Sequence, residues 1–161
     1  MGATYRIRRA VPRDCDAIAR LSAAAAQEAG GASSLESTRL KAHGFGSGAL
    51  FEPWVAHVSG GDIVAHAIIT TGYDVRRACP NLVLNELYVA PQHRRAGLAR
   101  KLMSAIARRG RELGVRELAI TTGVDNEVAQ RFFAAIGAQP RQAAVFMMSA
   151  DGIEWLAAEG L

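Results

Sequence analysis

The hydrophobic pattern changes period several times along the chain, and each change marks a predicted element. Tyr5-Arg-Ile-Arg-Arg-Ala10 alternates and reads as a short strand. Pro12 suits a first helical turn, with Asp14 and Asp16 near the positive end of the helix dipole. Ile18, Leu21, Ala24 and Ala25 then fall on one face, and Gly30-Gly31 ends that helix. Ser33-Ser34 offers caps for a second helix running to about residue 41, broken by Gly44, Gly46 and Gly48. Residues 54–58 read as a strand, Gly60-Gly61-Asp62 as a tight turn, and 63–71 as the return strand. After a loop over 73–80, residues 82–89 are almost continuously apolar, as in a strand buried on both faces.

Pro91 stops that strand, and a helix follows whose core side carries Leu98, Leu102, Ala105, Ile106 and Leu113, with Gly114 as C-cap. Residues 117–121 read as a strand. Asp125-Asn126 caps a helix with Ala129, Phe132, Phe133 and Ile136 on its apolar face, closed by Gly137. A last strand is expected over 143–148, and Asp151 is expected to cap a terminal helix bearing Ile153, Trp155 and Leu156. The order β-α-α-β-β-β-α-β-α-β-α predicts an α/β (α+β) fold with a mixed sheet and helices on its faces, in a single domain over 1–161.

Composition narrows the class. Half of the 161 residues are apolar, enough for a full core, and 21% are charged, which argues against low-complexity disorder. Two cysteines, Cys15 and Cys79, cannot form a disulfide framework. No apolar run approaches the roughly 18 residues of a membrane span, and the first residues lack the apolar core of a signal peptide. The expectation is a cytoplasmic protein without a membrane partner. His43, His57, His66 and His93 have no ligand spacing, so no metal site is expected; His66 reads as a core or rim histidine.

The net charge is +4, and the surplus lies on one segment. Between residues 94 and 116 stand eight basic residues and one acid, Glu112. Nucleic-acid binding would want interleaved aromatics, and this segment has none, so no nucleic-acid partner is expected. A buried strand gives way to a helix within about seven residues here, through Arg94, Arg95, Gly97 and Ala99. Small residues admit close backbone approach. The first helical amides have no internal partner, and with the dipole they suit an anion such as a phosphate. The same residues are also compatible with a solvated basic helix face. No Gly-Lys-Ser/Thr follows, so this is not a P-loop, and one glycine stands where a dinucleotide fingerprint needs three.

Arg94-Arg-Ala-Gly97-Leu-Ala99, after a strand ending Leu-Tyr-Val-Ala-Pro91, resembles motif A of the GCN5-related N-acetyltransferases (GNAT), Arg/Gln-x-x-Gly-x-Gly/Ala. Asn126-Glu-Val-Ala129-Gln-Arg-Phe132-Phe133-Ala-Ala-Ile-Gly137-Ala138 resembles their motif B, Asn-x-x-Ala-x-x-Phe-Tyr-x-x-x-Gly-Phe/Ala. The likeness covers about residues 4–158. It implies the GNAT fold, with a V-shaped splay between the fourth and fifth strands, and acetyl-coenzyme A as cofactor. The pyrophosphate would sit on Arg94, Arg95, Ala96, Gly97, Leu98, Ala99 and Arg100. The pantetheine arm would pair with Leu87, Tyr88 and Val89, and Asn126, Ala129, Phe132 and Phe133 would line its far side. Homodimers are common in the family. Gly44-Phe-Gly46, Tyr73-Asp74, Asn126-Glu127 and Gly137-Ala138 are similar to the diamine (spermidine/spermine) branch, which would put Tyr73, Asp74 and Glu86 at the substrate.

Acetyl transfer to an amine requires the ammonium to lose a proton and a fixed donor for the carbonyl oxygen. Glu86, a carboxylate inside an apolar strand, is the candidate base or substrate anchor, and a structural ion pair is the bland alternative. A backbone N–H of Leu87 or Tyr88 is the candidate donor. The diamine branch has Glu-Asp where this chain has Asn85-Glu86, so Asn85 cannot serve as base. Motif B normally carries tyrosine as general acid at Phe133, and phenylalanine has no proton to give; water, Tyr88 or Tyr73 would replace it. The expected activity is an N-acetyltransferase acting on a primary amine of a small molecule. Acetylation of a protein N-terminus or lysine, and a non-catalytic acetyl-coenzyme A-binding module, are the competing readings.

Overall fold

The computed structural model describes residues 4–159. They fall into two compact units divided after Gly123, each described by itself. The first holds β1 (Tyr5–Arg9), α1 (Cys15–Glu28), α2 (Ser37–His43), β2 (Glu52–Val58), β3 (Ile63–Asp74), β4 (Cys79–Val89), α3 (Leu98–Glu112) and β5 (Leu118–Ile120). The strands form one sheet in the order β1-β2-β3-β4-β5. The first three pairings are antiparallel and β4–β5 is parallel, which is the mixed sheet the sequence predicts.

Helices cover both faces of this sheet. Ile18 of α1 and Leu40 of α2 pack with Val55 and Ile68 on one face. On the other, α3 buries Leu98, Leu102, Ala105 and Ile106. Its Gly110 comes so close to the sheet that an added Cβ would lie 3.3 Å from a Leu82 methyl. The β3–β4 hairpin is longer than the sequence suggests. Tyr73, Asp74, Cys79 and Pro80 are paired strand residues, not loop.

β4 contains one residue more than β3 can match. Ile69 faces Leu84 and Ile68 faces Glu86, so Asn85 is an extra residue in the ladder. Plain alternation would put Leu84 and Glu86 on the same face. The bulge breaks it: Leu82 and Leu84 meet the α3 side, while Glu86 and Tyr88 turn to the α1 side.

β5 is the short partner. The β4–β5 ladder runs only through Leu82–Leu118, Val83–Ala119 and Leu84–Ile120. Beyond Leu84, β4 continues to Val89 without β5 beside it, so the two strands part at the bulge.

Several predicted caps and one strand are placed differently. Ser33 and Ser34 do not cap α2, which starts at Ser37 behind Glu36. Ser33 Oγ instead accepts the Leu35 N–H at 3.1 Å, closing a local turn. In the second unit, α4 (Glu127–Ala135) is capped as expected, Asn126 Oδ1 accepting the Ala129 N–H at 3.1 Å. Asp151 lies inside α5 (Ala150–Glu159), and the cap is Ser149, whose Oγ accepts the Gly152 N–H. Residues 143–148 form no strand, and Phe146 is 92% exposed. The run is apolar without period-2 alternation, so β propensity alone has no ladder to act on.

One buried ion pair ties β1 to α1. Asp14 receives Arg8 at 2.6 and 3.0 Å and the Val11 N–H at 2.8 Å. Burial alone would raise the Asp14 carboxyl, but the Arg8 guanidinium and the Val11 amide more than reverse this and hold it below the ordinary carboxylate value. A depressed folded value stabilises above the unfolded value, and that contribution disappears as pH falls through it. Asp14→Asn, which keeps an acceptor for the Val11 N–H and leaves a partly solvated Arg8, should cost about 2 kcal/mol at neutral pH. In urea titrations the gap from wild type should narrow below about pH 4.

Candidate functional site

The face of β4 turned toward α1 carries a cluster of polar side chains in otherwise apolar surroundings. Glu86 Oε2 accepts the Ser22 hydroxyl at 3.1 Å, and Ser22 Oγ lies 3.0 Å from Ser33 Oγ. His66 Nε2 stands 3.4 Å from the same Oε2, with the ring fully buried. The ring is not aligned for a regular hydrogen bond, so this contact acts through charge and dipole. Burial pushes the Glu86 carboxyl up; His66 and Ser22 together outweigh burial and leave it below the ordinary carboxylate value. Its side chain keeps 24% exposure, so solvent or substrate can reach it.

A second cluster lies two residues along the strand. The Tyr88 hydroxyl donates to Glu28 Oε1 at 2.6 Å. Arg94 clamps both oxygens of Glu28 at 2.9 and 2.7 Å, donates its Nε to the Val89 carbonyl at 2.9 Å, and lies over the Tyr88 ring at 5.5 Å. Arg94 thus joins the C-terminal end of α1 to the end of β4. Burial, then the Glu28 carboxylate, raise the Tyr88 phenol above its usual value.

β4 ends at a turn over 91–93, where the His93 Nδ1 meets the Tyr5 hydroxyl at 3.1 Å. Arg95 and Gly97 both adopt positive φ, +63° and +73°, and α3 starts directly after them. The first bond of that helix runs from Lys101 N–H to the Gly97 carbonyl at 3.0 Å. The amides of Leu98, Ala99 and Arg100 precede that first bond and have no intrahelical partner. No side chain caps this end, and nothing lies within 4 Å of a Cβ built on Gly97. Uncapped amides at a helix start are the donors that an anion would need.

The remaining expected residues are more scattered. Leu87 and Val89 lie on the part of β4 that β5 leaves unpaired. Tyr73 is exposed on the β3–β4 hairpin. Asp74 already accepts the Arg77 N–H at 3.1 Å and its guanidinium at 2.9 Å, and Arg77 also meets Glu117 at 2.6 Å. This carboxylate holds a turn. Asn126, Ala129, Phe132 and Phe133 belong to the second unit, where the two phenyl rings meet edge to face at 5.2 Å. Ser22 was not singled out from sequence. A serine on the Ile18 face of an alanine-rich helix was the available signal. Among the described residues no three His, Cys, Asp or Glu side chains gather as a metal site.

The acetyltransferase (GNAT) family model matches residues 17–138, which include the α1 partners, β4, the phosphate-type loop and α4. The chain belongs to the GNAT family. Among relatives, the aminoglycoside N(6')-acetyltransferase type 1 of Salmonella typhimurium is 31% identical over 67 residues, 42% of this chain and 46% of the relative. The match thus spans about half of that relative's length. Among solved structures, an integron cassette protein from the mobile metagenome of V. cholerae superposes with a TM-score of 0.81 at 19% identity, covering 97% of this chain and 99% of the other. AAC(6')-Iy in complex with the bisubstrate analog CoA-S-monomethyl-acetylneamine superposes at 0.69 with 20% identity, covering 91% and 98%. These likenesses show the GNAT fold that motif A and motif B imply.

Glu28→Gln removes the carboxylate that raises the Tyr88 phenol. In an ultraviolet difference titration of the three tyrosines, the midpoint assigned to Tyr88 should fall toward that of an ordinary phenol. Tyr88→Phe should abolish that transition and identify it.

Proposed function

We propose that this chain is an acetyl-coenzyme A-dependent N-acetyltransferase acting by direct transfer to a primary amine of a small molecule, with 1–161 working as one domain. The observation that carries this reading is the arrangement around β4. One edge of the strand is left without a strand partner beyond Leu84, an ionised Glu86 stands beside that stretch, and uncapped helix-start amides lie just past its end.

The residues present fit the cofactor. The edge over Leu87 and Tyr88 that β5 leaves without a strand partner suits an amide-bearing arm, and the amides from Arg95 to Arg100 suit a diphosphate, while Arg94 is held by Glu28 and the Val89 carbonyl. When bound, acetyl-coenzyme A supplies the thioester that the amine attacks. The resemblance to motif B supports a cofactor-binding role for Asn126, Ala129, Phe132 and Phe133 of the second unit.

The chain's own groups do the rest. A backbone N–H of Leu87 or Tyr88 provides a fixed donor for the carbonyl oxygen. Glu86 is anionic at neutral pH, so it attracts an ammonium. Its depressed pKa makes it a weak direct base against an alkylammonium near 10.4. It therefore serves as anchor and as first acceptor of a proton that passes on to water. Glu28 adds a second carboxylate on the same face, held by Tyr88 and Arg94. The sequence relatives named for aminoglycosides support an amino sugar as the acceptor.

Free-thiol release with a panel of amino sugars, diamines and peptides tests this reading. Thiol release above background is expected with at least one multiply aminated small molecule. No release with any amine would leave only the cofactor-binding module. Phe133→Tyr restores the phenol that motif B normally carries, and it should raise turnover about tenfold or more if protonation of the departing sulfur limits the rate.

A further inference from the structure

His66 is not required by the fold alone. It lies opposite Val55 on β2 and Tyr88 on β4, and both ring nitrogens are buried without a well-aligned hydrogen bond. A buried polar ring in that condition costs stability relative to an apolar side chain of similar size. What it gains is the carboxylate of Glu86, 3.4 Å from Nε2.

We propose that His66 is a positioning residue that acts through Glu86, holding Oε2 so that the other oxygen is turned toward the acceptor amine. This rests on the acetyl-transfer reading of Glu86. The geometry is asymmetric. His66 and Ser22 both engage Oε2, which leaves Oε1 for an incoming ammonium. The imidazole presents Nε2–H to Glu86, because a lone pair there would face a carboxylate lone pair. The ring therefore adds a positive dipole in a site where burial opposes the negative charge. The other charged or titratable groups facing the pair are few. Val55 brings none from β2, α1 brings Ser22 and, through Tyr88, Glu28, and β4 brings Tyr88 itself, its ring 6.3 Å from that of His66, with Arg94 behind it. None of these touches Oε2 except Ser22.

Two substitutions separate charge from packing. His66→Phe keeps a buried ring and removes the N–H; His66→Gln keeps an N–H donor and loses the ring. The Glu86 carboxyl, followed by carbon-13 NMR titration, should move up by about one pH unit in H66F and by less in H66Q. For an accepted amine, compared on the same substrate so that its own ionisation cancels, the acid limb of kcat should move the same way. H66F should lose about tenfold below its midpoint and recover above it, with KM little changed. A ring kept only for packing predicts the reverse order, H66F near wild type and H66Q worse, with an unmoved Glu86 midpoint. That result would overturn the proposal. If wild type releases thiol with no amine, the acetyl-transfer reading fails, while the carboxyl titration still decides the role of His66. If H66F does not fold, the Glu86 carboxyl midpoint in H66Q decides it: a rise above wild type supports the pairing, and an unmoved midpoint refutes it.

Discussion

Strand β4 has more backbone than its neighbours satisfy, and the site follows from that mismatch. β3 accompanies it from Cys79 to Val89, whereas β5 accompanies it only through Leu84. A parallel partner that stops midway leaves a row of backbone amides and carbonyls on one edge without a strand partner, a template on which an extended ligand can pair. The extra residue Asn85 lies at the same point. One local irregularity thus ends the pairing and re-aims the following side chains from the α3 face to the α1 face.

The polar groups that this turn delivers to the α1 face are committed in pairs. Glu86 has Ser22 and His66; Glu28 has Tyr88 and Arg94. Glu86 of β4 is reached by Ser22 of α1 and His66 of β3, and Glu28 of α1 by Tyr88 of β4 and by Arg94 in the loop after it, so the pairs also fix α1 against the sheet. They differ in burial. Arg94 and Glu28 are about half exposed, where such a bridge adds little to stability. The Glu86 pair is mostly enclosed, where the balance of burial and neighbours sets the charge state.

The order of elements and the family were legible in the sequence because they rest on local periodicity and punctuation. Gly30, Gly60, Gly61, Gly114 and Gly137 all take positive φ at the predicted stops. Motif A could be read for the same reason, since Gly97 at φ +73° needs no partner to be recognised. What the sequence hid depends on register. Asn85 looks like any polar residue in an apolar strand, and only its lack of an opposite number in β3 makes it a bulge. Without the bulge the meeting of His66 with Glu86 could not be read, because plain alternation puts Glu86 with Leu84 on the other face. Caps were missed where several hydroxyls compete. Ser33 makes a turn and Ser149 displaces Asp151, each a choice of a few tenths of a kcal/mol. The strand expected over 143–148 failed because an apolar run specifies burial without specifying what pairs with it.

The topology also orders the assembly of this sheet. β1 to β4 are joined in sequence order to antiparallel neighbours, so β3 and β4 close through a tight hairpin and contacts between them are local along the chain. The β4–β5 pair is different, since it waits for the crossover through α3 and holds only three residue pairs. Loop closure makes such pairings slow to form, and a ladder this short makes them quick to open. The seam beside which the site lies is therefore the part of the sheet that gives up its amide hydrogens to exchange most readily.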